Sequence, residues 1–247
     1  MLSALVKRLR KPPLSFCFCT LAIHKPYRRR AQLLIADAPG LPWVVFTDEP
    51  SEFSGPELTA IRHEPTGPMA YDFLTTLPPM GKGKGRPAYH DKRFVIKAAL
   101  EKFDTAIFID ADSRIQRRIP KLPHFQPGLA LVKDLQTNIR DHVTRYGSFR
   151  LGALQKVAIE LFGDAAALES APWCSEALFA VTKDGNESQF FDAWDRGAQI
   201  LQLQNLFTGE GGVIGLAAKY AGWAIDYKRI NKLAASVLHE GNGPKGE

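Results

Sequence analysis

The 247 residues could form one large domain or two small ones, and a hydrophobic content of 45% is ample for a single core. Three cysteines, an odd number without the spacing of metal ligands, favour buried thiols in a reducing compartment over a disulfide framework. No apolar stretch approaches the roughly 20 residues that span a bilayer, and the apolar part of residues 1–11 is too short for a signal peptide. We therefore expect a soluble, cytoplasmic protein.

The chain is basic, with 32 Lys and Arg against 26 Asp and Glu and a net charge of +6. This charge suits a phosphorylated or polyanionic partner without identifying one. The basic residues cluster at 7–11, 28–30 and 82–93. A solvated surface explains these clusters, and so does peripheral contact with the inner face of a membrane. Residues 1–13 are expected to form a flexible basic leader, and residues 14–247 a single domain.

The first elements read as a βαβ unit. We predict a strand over 15–23, a helix over 28–36 and a strand over Trp43–Thr47. The stretch 49–87 is rich in Pro and Gly and holds one weak strand over 58–63, so it is expected to be loop elaboration over a site.

Helical spacing returns at 91–102, where Ile96, Leu100 and Phe103 stand at i, i+4 and i+7. A strand over Thr105–Ile109 follows directly. Further predictions are strands over 129–132, 177–181 and 223–226 and helices over 154–162, 188–200 and 211–221. Strands that alternate with helices predict an α/β domain with a mostly parallel central sheet and helices on both faces.

Two carboxylates, Asp110 and Asp112, stand one residue apart where the apolar strand ends. Ligands bind at the carboxyl ends of such strands, and two bare carboxylates there repel each other. A hard divalent cation removes the repulsion, and Mn²⁺ or Mg²⁺ keeps positions open for phosphate oxygens. A solvated acidic turn is the alternative.

Two common nucleotide signatures are missing from the sequence. Neither G-x-G-x-x-G nor G-x-x-x-x-G-K-[ST] follows the first predicted strand. Their absence counts against a dinucleotide oxidoreductase and against a P-loop enzyme.

The helix, Asp104, the apolar strand and Asp110-Ala111-Asp112 together resemble the nucleotide-sugar glycosyltransferases of the A-type fold, most closely the glycogenin-like and bacterial galactosyltransferase group. The resemblance implies that this motif, including Ala111, holds Mn²⁺ or Mg²⁺ and the diphosphate of a UDP-sugar. It also implies donor binding by Arg93 at the start of the preceding helix, with Lys92 and Lys97 nearby. Residues 14–112 would then be the nucleotide-binding half, and 113–247 the acceptor half.

The tail also resembles this group, whose H-x-x-G-x-x-K-P-W segment closes over the site. His239 and Lys245 keep the spacing, although the glycine is displaced and Pro-Trp is missing. The resemblance implies that His239 is a third metal ligand and that Lys245 contacts the diphosphate.

Two glutamates match positions near the transferred sugar in the same group. Glu176 precedes a predicted strand in a segment that resembles N-S-G-[VF], and Glu210 opens a helix between two glycines. The resemblance implies catalytic roles for both, through stabilisation of positive character on the sugar, with retention of configuration. A strand-edge glutamate and a helix-start carboxylate are the structural alternatives.

The opening segment resembles the part of the group that holds the nucleoside. The resemblance implies that Thr20, Ala22 and Tyr27 contact the base. Asp48 could accept a hydrogen bond from the base or the ribose. Tyr27 could instead pack on the following helix, and Asp48 could cap a turn with Pro50.

Other functions stay open. A nucleotidyltransferase can share this architecture, although a glycine- and basic-rich loop after the first strand is missing. A haloacid-dehalogenase phosphatase also uses D-x-D, normally after its first strand. A non-catalytic basic module could bind nucleic acid or an anionic surface, but it leaves the acidic pair unexplained, so we expect no nucleic-acid partner. A degenerate glycosyltransferase would bind without turnover. Donor sugar and acceptor, whether glycan, lipid or protein, do not follow from the sequence.

Overall fold

Four parallel strands make one side of the central sheet. They are β1 (Phe16–Ala22), β2 (Trp43–Thr47), β3 (Leu58–Arg62) and β4 (Thr105–Ile109), in the spatial order β3-β2-β1-β4. Apolar residues fill these strands, and every residue of β2 and β4 is buried, as expected for parallel strands covered on both faces. The sheet therefore places the ends of β1 and β4 side by side.

Three more strands extend the sheet to seven in the computed structural model, which describes residues 15–67, 88–119, 121–122, 124–132 and 137–240. They are β6 (Gly128–Leu131), β7 (Leu178–Thr182) and β8 (Ile225–Asp226). β7 runs antiparallel to both β4 and β6, whereas β6 and β8 are parallel. The sheet is thus mixed but mostly parallel, and the predicted α/β fold class is confirmed. The predicted leader, residues 68–87 of the predicted loop, and Lys245 lie outside the described residues.

Helices cover both faces of the sheet. The helices are α1 (Lys25–Ala36), α2 (Lys92–Lys102), α3 (Ile139–Tyr146), α4 (Leu151–Phe162), α5 (Ala167–Ser170), α6 (Glu187–Leu203), α7 (Glu210–Tyr220) and α8 (Asn231–Ala234). Buried residues of α2 to α7 share one core with strand residues such as Cys19 and Phe108. Those of α1 and α8 share the other with Phe18 and Ile107. Alternate residues of each strand thus pack into two cores, one on each face of the same sheet. The chain therefore forms a single α/β domain.

A second, two-stranded sheet was not predicted. It pairs β5 (Ser113–Ile115) antiparallel with β9 (Val237–His239). This pairing joins the residue after Asp112 to the last described strand. In the described ranges, no helix combines the length and the apolar character that crossing a membrane requires.

Candidate metal centre

The acidic pair lies at the edge of the sheet where β1 and β4 end. These two strands are parallel neighbours, and the chain order of the sheet reverses between them. Helices on either side of such a reversal leave a crevice outside the carboxyl ends of the strands, where α/β proteins commonly bind ligands. The position therefore agrees with the ligand site predicted from the sequence.

A tight turn carries the two carboxylates from β4 into β5. The Ser113 N–H donates to the Asp110 carbonyl oxygen over 3.0 Å, which closes the turn. The Asp110 N–H donates to the Ala177 carbonyl oxygen over 2.9 Å, which ties the turn to the segment before β7. These bonds fix the backbone from which both carboxylates project.

β9 brings His239 to the same place. In the β5–β9 pair, His239 lies opposite Ser113, and the Glu240 N–H donates to the Asp112 carbonyl oxygen over 3.0 Å. His239 Nδ1 lies 3.4 Å from Asp112 Oδ1. One ligand atom from each of Asp110, Asp112 and His239 lies within 4.8 Å of the others. The structure thus brings the three predicted ligands together.

The three side chains are suited to a divalent ion. Ligand atoms held about 2.1 Å from an octahedral ion are separated by roughly 3 to 4.3 Å. The observed upper limit of 4.8 Å needs only a small closure to reach this range. Carboxylates suit Mg²⁺ and Mn²⁺ alike, while the imidazole suits a transition metal better. The group could therefore hold a metal ion.

Lys92, which the resemblance named only as a neighbour of Arg93, is a member of the site. Its Nζ lies 2.9 Å from Asp110 Oδ1 and 3.3 Å from Glu210 Oε1, and it donates to the Glu176 carbonyl oxygen over 3.0 Å. The spacing of α2 is consistent with this position, because Lys92 precedes the buried residues Ile96 and Ala99 by four and seven positions and so lies on the same face of the helix. A buried ammonium thus links the two predicted glutamates to the acidic turn.

The basic residues that the sequence favoured lie elsewhere on α2. Arg93 donates to Asp195 of α6 and to the His90 carbonyl oxygen. Lys97 is exposed. These contacts give Arg93 a structural partner, and donor binding by Arg93 and Lys97 stays a prediction.

Charge balance sets the protonation of the buried groups around Lys92. Burial acts against the charged lysine, but Asp110, Glu210 and Glu176 outweigh it and raise its pKa. Burial also acts to raise the pKa of Glu210, yet Lys92 and His90 hold it below its usual range. Lys92 and Glu210 therefore form a charged pair.

Glu176 has the opposite protonation from Glu210. Burial and the charge of Glu210 raise the pKa of Glu176 to about 8, which favours the neutral carboxyl group at pH 7. Its Oε1 accepts the Gly211 N–H over 3.2 Å, which places it at the start of α7 beside Glu210. Burial likewise raises the pKa of Asp110, and Asp112 adds to this rise although Lys92 opposes it. One neutral and one charged glutamate thus stand next to the acidic turn.

Two further side chains approach the acidic pair from α1. Arg30 Nη1 lies 3.8 Å from Asp112 Oδ2. Tyr27 is half-buried, and burial together with Asp112 raises the pKa of its hydroxyl. Tyr27 was predicted to contact the base, and the structure places it beside the predicted metal ligands.

The remaining predicted donor contacts surround the end of β1. Thr20 and Ala22 are buried in β1, and Thr20 Oγ1 has no hydrogen-bond partner in the described residues. Asp48 accepts the His24 N–H over 3.2 Å and an Arg28 guanidinium N–H over 2.8 Å. Asp48 therefore fixes the entry to α1, and nucleoside binding by these residues stays a prediction.

Comparison of the chain with protein-family models and with curated proteins gives no match. The fold is α/β, with a mixed and mostly parallel sheet, and it carries an acidic group that could hold a metal ion.

Proposed function

We propose that the protein is a metal-dependent glycosyltransferase that uses a nucleotide sugar, in particular a UDP-sugar. The convergence of Asp110, Asp112 and His239 at the carboxyl ends of β1 and β4 carries this proposal. A divalent ion at that position would neutralise the diphosphate as it leaves the sugar, a contribution usually worth several kcal/mol. The sequence resemblance supports the choice of donor class.

Three residues around the acidic turn would have separate roles in binding the substrate and stabilising the transition state. Lys92 keeps Asp110 in place and adds positive charge close to the diphosphate. Glu210, charged and buried, would stabilise positive character on the sugar. Glu176, whose neutral form is favoured at pH 7, would donate a hydrogen bond to a substrate oxygen.

The test is hydrolysis of UDP-sugars by the full chain with Mn²⁺ or Mg²⁺, after a thermal-shift screen that identifies the stabilising donor. We expect Asp110→Ala and Asp112→Ala each to lower the rate on the order of a hundredfold, because each removes a ligand. His239→Ala should weaken the metal affinity about tenfold. Asp192→Ala is the matched control, since Asp192 is exposed on α6.

Equal activity in the Asp110 and Asp112 variants would contradict the metal assignment. The product separates the closest alternative, because a glycosyltransferase releases UDP and a nucleotidyltransferase releases or consumes pyrophosphate. A shift with duplex DNA and none with any nucleotide sugar would favour a basic binding module instead.

A further inference from the structure

Two aromatic rings and two arginines share a solvent-exposed surface at the end of α3. We call Arg145, Tyr146, Phe149 and Arg150 the aromatic–arginine patch. Tyr146 is 62% exposed and Phe149 is 48% exposed. The Arg145 guanidinium lies 5.8 Å from the Tyr146 ring centre, and that of Arg150 lies 5.1 Å from the Phe149 ring centre. The patch thus alternates apolar faces with positive charge.

The charges of the patch have no ion-pair partner within the described residues. Among the ion pairs of the described residues, none involves Arg145 or Arg150, whereas the neighbouring Arg140 pairs with Glu169. Asn138 caps α3 by accepting the Asp141 N–H, and the Asn138 amide donates to the carboxylate of Asp141, which stands four residues before Arg145. Arg150 Nε is buried and lacks a hydrogen-bond partner within the part of the chain that the structure describes. The exposed Arg145 is therefore available to an anionic ligand, whereas Arg150 is partly exposed and its Nε is not among the accessible donors.

One residue of the patch, Arg150, packs beside the start of α7, where Glu210 lies. Arg150 Cδ lies against Gly209, 3.4 Å from the position that a Cβ on this glycine would take. Gly209 adopts a φ of 98° and immediately precedes Glu210. Arg150 therefore stands next to the residue whose carboxylate is paired with Lys92.

A row of stacked rings makes a second connection. His142 lies between Tyr146, at 5.0 Å, and Trp173, on which it stacks at 3.8 Å and 9°. Trp173 in turn contacts Gly211 and Gly212 of α7, where added Cβ atoms would approach its ring to 3.0 and 3.4 Å. The Tyr146 ring is thus packed through His142 and Trp173 to the helix that carries Glu210, which restricts its position relative to the site.

We propose that the aromatic–arginine patch binds the acceptor of the transfer, a saccharide that carries a phosphate or carboxylate group. The acceptor role rests on the proposed function. Sugar rings present C–H faces that pack on exposed aromatic rings, and guanidinium groups bind phosphate and carboxylate by paired hydrogen bonds. A neutral glycan would not need the arginines. A long polyanion would need a wider basic surface, yet Asp141 and Glu169 are exposed close by.

Calorimetric titration of the full chain, without metal or nucleotide, tests the patch directly. The probes are glucose, glucose 6-phosphate, glucuronate and inorganic phosphate. Both anionic sugars should bind about tenfold more tightly than glucose, and glucose 6-phosphate more tightly than inorganic phosphate, because ring and anion contacts act together. The double variant R145A/R150A should lose this tenfold preference and keep glucose binding. The double variant Y146A/F149A should weaken all three sugars.

Arg62→Ala is the matched control, because Arg62 is a strongly exposed arginine on β3. It should leave every affinity unchanged. Equal binding of glucose and the anionic sugars, or anionic binding that survives R145A/R150A, would overturn the proposal. Patch-dependent binding to phosphatidylserine vesicles without sugar binding would overturn it in favour of a membrane contact.

The titration separates failure of the patch from failure of the proposed function. If the chain hydrolyses UDP-sugars with metal but shows no patch-dependent preference for anionic sugars, the acceptor site alone is overturned. Binding of anionic sugars without hydrolysis of any nucleotide sugar would overturn the acceptor role together with the proposed function.

Discussion

Lys92 is a buried charge that two carboxylates share, at 2.9 Å from Asp110 and 3.3 Å from Glu210. Replacing it with methionine, which has a similar shape, leaves the buried Glu210 and the partly exposed Asp110 without this partner. We expect Lys92→Met to lower the free energy of unfolding by about 3 to 5 kcal/mol. Urea unfolding with metal chelated measures the change. Lys97→Met on the exposed face of α2 is the control and should stay within about 0.5 kcal/mol; equal effects would mean that Lys92 is not needed to hold the two carboxylates.

Glu176 gives the fold a pH dependence of defined sign. Its pKa is raised to about 8 by burial and by Glu210, whereas an unfolded glutamate titrates near 4.3. Between these values the folded state binds a proton that the unfolded chain does not, so stability falls as pH rises. Relative to Glu176→Gln, the wild type should lose about 2 to 4 kcal/mol of unfolding free energy between roughly pH 5 and 8.

Urea unfolding at several pH values, with metal chelated, measures this difference. The glutamine variant keeps a hydrogen-bonding group of the same size but cannot ionise. Parallel pH profiles for the two proteins would show that Glu176 is already ionised in the folded state, against its assigned role as a hydrogen-bond donor.

At the scale of elements, α7 packs so closely that glycine is required. A Cβ on Gly215 would lie 1.7 Å from the Pro172 carbonyl oxygen. We expect Gly215→Ala to cost about 3 kcal/mol or more, because α7 must move to make room. Gly152→Ala on α4 is the matched control: nothing lies within 4 Å of its added Cβ, so it should stabilise by about 0.5 kcal/mol. Thermal unfolding compares the two, and a tolerated Gly215→Ala would contradict the close packing.

The longer elements could be predicted because their patterns are local. β2 and β4 match the predicted bounds, and α2 begins one residue after the predicted start. The apolar run of β7 gave no sign of its antiparallel direction, since a strand buried on both faces has no polar alternation to orient it. α3 was missed although Ile139 and Val143 have helical spacing. Three-residue strands such as β9 carry no period at all.

In the candidate site, too, residues marked by local patterns could be predicted, and those placed by tertiary packing could not. Asp110, Asp112 and His239 were predicted as ligands and lie together. Choosing Lys92 over Arg93 required the phase of α2 against the sheet, because adjacent helical residues point about 100° apart. The aromatic–arginine patch is local in sequence, within residues 145–150, but the position of Arg150 beside Gly209 depends on tertiary packing, which no local pattern contains.

At the scale of the whole molecule, the two predicted halves share one sheet. β4 of the first half pairs with β7 of the second through five residue pairs. We therefore expect one cooperative unfolding transition, because separating the halves would expose the edges of two buried strands. Tryptophan fluorescence and far-ultraviolet circular dichroism should give the same midpoint in urea. Two separate midpoints would mean that residues 14–112 and 113–247 unfold independently.

The β5–β9 pair joins Ser113 to His239 across a separation of 126 residues. An ion held jointly by the acidic turn and His239 would therefore be a reversible cross-link between segments separated by about half of the sequence. Like a covalent cross-link of similar span, it would restrict the denatured ensemble, by about 4 to 5 kcal/mol in a chain-entropy description. The lifetime of the folded chain would then depend on the supply of the ion, independently of any turnover.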